Sequence, residues 1–175
     1  MLSDRLIKMI ETHAEELTRG ALSDLQSSPN TPSYQKLSHD DLYQRVYKVY
    51  HDLGGWLWEK TDEAIQTWYL QLGEERFNQG IPLSEVIWAL ILTRCRLRDY
   101  IRNSGLANSA IDLYQQMELH QLVSHFFDRA IYYTVAGYEN AAAMRRDDSV
   151  LTGRPVSWAR RSLRGPRIGH SQYRE

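Results

Sequence analysis

From Leu72 to Leu92 the chain reads LGEERFNQGIPLSEVIWALIL, and this stretch limits the possible folds more than any other. One helix ends in it, a tight connection follows, and a second, strongly apolar helix begins. Gly80 is placed where a helix closes in the left-handed conformation that glycine tolerates best, and Pro82 suits the first position of a following helix. Ser84 and Glu85 supply a polar first turn. Glu74, Glu75 and Glu85 read as helix-end charges facing solvent, with Arg76 able to pair with Glu85 across the turn. Val86–Leu92 is then apolar on every side for two turns, the pattern of a helix surrounded by neighbours. Gly73, one turn before Arg76, suits close helix packing. The remaining chain must supply the helices that cover this one.

Those helices are legible from apolar spacing. Leu2, Leu6, Ile10, Ala14 and Leu17 recur at three- and four-residue intervals, predicting one amphipathic helix over roughly residues 3 to 26. Two prolines among small polar residues break it at 27–33. Ser38 can cap a second helix, with Asp40 and Asp41 in its first turn and Leu42, Val46, Val49, Leu53 and Leu57 on its apolar face. Tyr43, Tyr47 and Tyr50 form an adjoining stripe, and Gly54-Gly55 permits close packing or a kink before Trp56 and Trp58. Thr61 or Asp62 caps a third helix with Ile65, Trp68, Tyr69 and Leu72 inward. The helix after Pro82 loses its apolar character beyond Thr93. Asn108 or Ser109 then caps a long fifth helix running to about Met144, with Gly137 or the region of His120 as places for a bend. No stretch alternates as a strand does. The expected fold is all-α, a bundle of five or six helices over residues 1–144, followed by a flexible arginine-rich tail at 145–175.

The net charge of −1 conceals an asymmetry. Between Arg145 and Glu175 there are eight arginines and three acidic residues, so this segment carries +5 and the remainder −6. An acidic body argues against a nucleic-acid-binding fold, because phosphate contacts need a positive surface. The tail, with Trp158, Arg160, Arg161 and a phosphorylatable Ser162, is the part suited to an acidic partner. The longest apolar run, Val86–Leu92, has seven residues, whereas a membrane helix needs about 20. The single cysteine, Cys95, leaves no internal disulfide framework and suits a reducing cytosol. A cytoplasmic protein without membrane contact is expected.

Few residues suggest chemistry. His120 and His125 diverge around a helix, and neither His-x-x-x-His nor Glu-x-x-His occurs, so no metal site is expected. His125, flanked by Phe126 and Phe127, is the one candidate for an axial haem ligand; otherwise no cofactor is implied. Cys95 falls on the face of Trp88, Ile91 and Leu92 and reads as a buried small hydrophobe. No nucleophile stands at a useful spacing from a base, and no glycine loop could cradle a phosphate, so catalysis is not expected. In the run from Phe126 to Tyr138, the phenols of Tyr132, Tyr133 and Tyr138 beside Asp128 could line a small pocket or a dimer seam. More rings than one helix face can hide favour the seam, hence a homodimer.

Gly73-x-x-Arg76, Gln79-Gly-Ile-Pro-Leu-Ser-Glu-Val86 followed by Ala89-Leu-x-Leu92, and Phe126-Phe-Asp-Arg-Ala-Ile-Tyr-Tyr-Thr-Val-x-Gly-Tyr-Glu139 together resemble the N-terminal domain of RsbT co-antagonist (RsbR-type) proteins. The likeness spans about residues 3 to 140. It implies a distantly globin-like, haem-free helical domain that dimerises and serves as the input module of bacterial signalling proteins, among them stress-response regulators. In that family a STAS domain or kinase core usually follows, whereas here residues 145–175 follow. The implied role is a stand-alone sensory or regulatory domain working through protein contacts, with no catalytic residue carried over.

Overall fold

The computed structural model describes residues 2–59, 61–105 and 107–152, and among them the chain is all-α. Six α-helices appear: α1 (Leu2–Thr12), α2 (Ala14–Ser27), α3 (His39–His51), α4 (Asp62–Asn78), α5 (Leu83–Asn103) and α6 (Ala110–Thr152). A 3₁₀ turn, Pro32–Lys36, precedes α3, and a π turn, Gly55–Glu59, follows it. No helix among the described residues is long and apolar enough to cross a membrane.

The helix starts follow local chemistry. Ser38 Oγ accepts from the Asp41 amide, Thr61 Oγ1 from that of Ala64 and Ser109 Oγ from that of Asp112, each satisfying a first-turn N–H that has no helical partner. The Asp112 carboxylate accepts in return from the Asn108 amide, completing a reciprocal cap. Gly80 has φ +73, the left-handed closure of α4. Pro82 caps α5 from outside instead of opening it, one residue from its expected place.

Two expected elements are divided or lengthened. The first helix is interrupted at His13, whose backbone leaves helical values (φ −101, ψ 18) while its ring Nδ1 lies 2.8 Å from the Met9 carbonyl. The apolar stripe runs unbroken through this residue, so spacing does not reveal it. The last helix continues to Thr152, so residues 145–152, read from sequence as tail, are helical. The chain divides into two compact units, Met1–Ala141 and Ala142–Glu175. The expected tail residues beyond Thr152, including Trp158, Arg160, Arg161 and Ser162, lie outside the described residues.

Within the first unit α2 lies against α3 and α5, α1 against α3, and α4 against α5. Trp56, from the π turn, is buried at the centre, with ring centroids 5.9 Å from Trp68, 6.3 Å from Tyr69 and 5.6 Å from Phe126. Gly54, just before that turn, lets α1 come close, its amide donating to Glu11 Oε1 at 2.9 Å while an added Cβ would lie 3.3 Å from Ile7 Cγ2. Polar ties join distant segments: Leu2 N to Gln115 Oε1 at 2.6 Å, Gln116 Nε2 to the Ile101 carbonyl at 2.6 Å, and Tyr50 Oη to the Thr93 carbonyl at 2.9 Å.

The expectation that Val86–Leu92 is covered all round is corrected. Val86 and Ala89 are buried, Ile87, Leu90, Ile91 and Leu92 are half-buried, and Trp88 is 36% exposed. Helices α2 and α4 and the 3₁₀ turn pack against α5, and α6 is tied to it by the bond from Gln116. These neighbours leave its outer face to solvent. Cys95 shares that outer face and is exposed, not buried.

Candidate functional site

Two features stand out among the described residues: a polar network beside a core cavity, and an uncovered apolar face on α5 and α6.

The network begins at Arg76. Its position in the last turn of α4 suits a cation at a helix C-terminus, yet the side chain is only 2% exposed. Its Nη1 donates to Gln79 Oε1 at 2.7 Å and to Asp41 Oδ2 at 3.3 Å. Asp41 also accepts from Arg45 Nε at 3.2 Å, and Arg45 pairs in turn with Glu75. The Arg76 guanidinium lies 5.8 Å from the centre of the Tyr34 ring. Burial pushes the Tyr34 phenol up to about 12, against the opposing pull of Arg76. The pairing of Arg76 with Glu85 that the sequence suggests does not form. Glu85 is buried instead of solvent-facing, and accepts from the Ser33 amide at 2.8 Å and the Ser33 hydroxyl at 3.0 Å. Helix α5 is thereby fastened to the 3₁₀ turn, a partner 52 residues away that no local signal identifies.

Beside this network lies a cavity of about 60 Å³. Its wall is mostly hydrocarbon from α3 (Leu42, Val46, Val49), α5 (Val86, Ala89) and α6 (Phe127), with Tyr69 and Arg76 of α4, Tyr34, Arg45 and Thr93 as its polar members. Tyr69 Oη and Arg76 Nε are both buried and have no hydrogen-bond partner among the described residues. Burial also raises the Tyr69 pKa, so the phenol stays protonated. Haem does not fit this cavity: no histidine among the described residues lines it, its volume is far below that of a porphyrin site, and His125 is exposed on the groove between α5 and α6. No cluster of three or more His, Cys, Asp or Glu residues capable of holding a metal occurs among the described residues.

Other residues singled out from sequence are dispersed. Gly73 and Gly137 face each other's helices where α4 crosses α6. A Cβ on Gly73 would lie 2.0 Å from the Thr134 carbonyl oxygen, and one on Gly137 2.1 Å from that of Leu70. Phe126 and Phe127 are core residues. The three phenols expected to share a pocket or seam with Asp128 separate. Tyr133 donates to Asp62 Oδ2 at 3.0 Å, Tyr138 to the Ile81 carbonyl at 2.8 Å, and Tyr132 is exposed. Asp128 is bound by Arg94 of α5 at 3.0 Å. Successive residues on a helix point about 100° apart, which is why a run of aromatics in sequence scatters in space.

The uncovered face is built from two helices that the Arg94–Asp128 pair holds side by side. On α5 it carries Trp88, the half-buried Ile91 and Cys95; on α6 it carries Tyr114, Met117 and Tyr132. A shallow polar groove bordered by Arg98, Arg102, His120 and His125 runs through it, between Met117 and Tyr132. The α6 positions recur at 114, 117, 121, 125, 128 and 132, spacing that holds one stripe along a helix.

Comparison of the chain with models of protein families, with curated proteins and with solved structures gives no match.

Proposed function

We propose that this chain is a regulatory module of signal transduction that works by protein–protein contact, and that it self-associates through the outer face of α5 and α6. The observation behind this reading is the set of large apolar side chains left in solvent on two adjacent helices, Trp88 and Tyr132 on one side of a polar groove and Tyr114 and Met117 on the other. An apolar surface of this kind, bordered by charged residues, is typical of an interaction site. A second copy suits it best, because two helices laid against their symmetry mates complete a four-helix packing unit. The residues that resemble RsbR-type input domains favour the same role, in a bacterial stress-response setting. The chain is read as non-catalytic: buried charged groups are tied to structural partners, Arg76 to Asp41 and Glu85 to Ser33.

Light scattering coupled to size exclusion at low micromolar concentration tests the reading. The wild type should elute with the mass of a dimer, and Trp88→Glu with that of a monomer of unchanged helix content. A wild type that is monomeric throughout and recovers no partner from cells would leave the proposal without support.

A further inference from the structure

Two residues that line the core cavity, Tyr69 and Arg76, each carry a buried hydrogen-bonding atom without a partner among the described residues, and we propose that the cavity binds a small neutral ligand, a short aliphatic alcohol or ketone. Tyr69 Oη and Arg76 Nε are the two groups, and Arg76 is 2% exposed. Buried polar groups in folded proteins are nearly always paired, so an orphaned pair at one cavity points to a missing acceptor. A hydroxyl or carbonyl oxygen supplies it. Water could occupy the polar end, but it leaves Leu42, Val46, Val49 and Phe127 lining a wet space, whereas an aliphatic chain covers them as well.

Size and charge narrow the class. A water molecule needs roughly 10–15 Å³ of such space, so about 60 Å³ admits a molecule of a few heavy atoms. Around the cavity Arg45 and Arg76 are outnumbered by Asp41, Glu75 and Glu85. An incoming carboxylate would find no net positive charge to compensate its desolvation, so the ligand is neutral. The lining reaches the half-buried Arg45, Trp68 and Leu90, which form the route of entry.

Titration of the full chain with 1-butanol, 2-butanone and sodium butyrate, followed by ¹⁵N–¹H correlation spectra, tests this. Both neutral probes should shift the amides of α3, α4 and α5 around the cavity saturably, with butyrate at least about tenfold weaker. Tyr69→Phe should weaken the neutral probes by about tenfold, one hydrogen bond's worth, without unfolding the protein. Ala89→Leu, which fills the cavity, should abolish the shifts. The absence of saturable shifts with either neutral probe would mean that the cavity holds water only and would overturn the proposal. Butyrate binding as tightly as butanol, or binding unchanged in Tyr69→Phe, would overturn it equally. The result is independent of oligomeric state: a strictly monomeric protein that binds butanol loses the association reading and keeps this one.

Discussion

Helix α6 meets its surroundings in two opposite ways. Where it crosses α4, Gly73 and Gly137 bring backbone against backbone, closely enough that neither can carry a Cβ. Along its outer stripe, Tyr114, Met117 and Tyr132 are more than half exposed, the Tyr132 ring meeting that of Tyr133 edge-on. The smallest residues of the helix thus make its closest contact, and some of its largest leave most of their surface in solvent. Helix packing rewards fit more than apolar area: glycine at a crossing forfeits side-chain burial but gains dispersion along the two backbones. An uncovered aromatic stripe gains nothing until another surface meets it.

The contrast can be broken most severely at the crossing. Gly137→Ala places a methyl group against the Leu70 carbonyl, and because the obstacle is backbone the helices must separate. A loss of about 1–3 kcal/mol is expected for alanine and more for valine, read as a lower urea midpoint at constant slope. Gly73→Ala should behave alike, and the double variant should cost less than the sum, since one separation accommodates both. Next comes Glu85. Glu85→Ala leaves the Ser33 amide without its acceptor and should cost about 1–3 kcal/mol, whereas Ser33→Ala removes only the hydroxyl bond and should cost about 0.5–1.5 kcal/mol.

Gly80 supplies a smaller effect of a different origin. A Cβ there meets nothing within 4 Å, so only its positive φ opposes substitution. Gly80→Ala should lose about 1–2 kcal/mol and Gly80→Asn distinctly less, because asparagine tolerates the left-handed conformation. On the outer stripe, Met117→Ser should change monomer stability by no more than about 0.5 kcal/mol while weakening association, the inverse of the glycine variants.

The smallest expected effect is that of His120, at the groove beside the stripe. Burial first, then the charges of Arg98 and Arg102, hold its imidazole below 6.5. The unfolded chain therefore takes up this proton at higher pH than the folded one. Its contribution is fully present above pH 6.5 and declines as pH falls through the lower folded value. Urea unfolding from pH 7.5 down to pH 5 should show a shallower loss of stability in His120→Gln than in the wild type. An identical slope would mean that the histidine protonates equally well in both states.

What could be read before the fold was known was mostly local. Ser38, Thr61 and Ser109 announce helix starts because a side-chain oxygen needs only the next three residues to cap an amide. Gly80 announces the stop for the same short-range reason. The interruption at His13 escaped because the apolar stripe continues across it. Among the candidate residues, Phe126 and Phe127 lie in the core, whereas Trp88 and Cys95, which helical spacing places in the interior, face solvent. An all-round apolar segment records only that burial is available. It does not record how many neighbours come to provide it.

The amino-acid sequence by itself determined an all-α chain, the positions of most helix ends and the acidity of the body, since these depend on spacing and short-range capping. Only the tertiary structure decided that Arg76 pairs with Asp41 and Glu85 with Ser33, that two glycines 64 positions apart form one crossing, and that α5 keeps one face in solvent. It also decided that Tyr69 and Arg76 share a cavity. Each of these depends on which segments meet across long loops of chain, and helical periodicity carries no information about the partner.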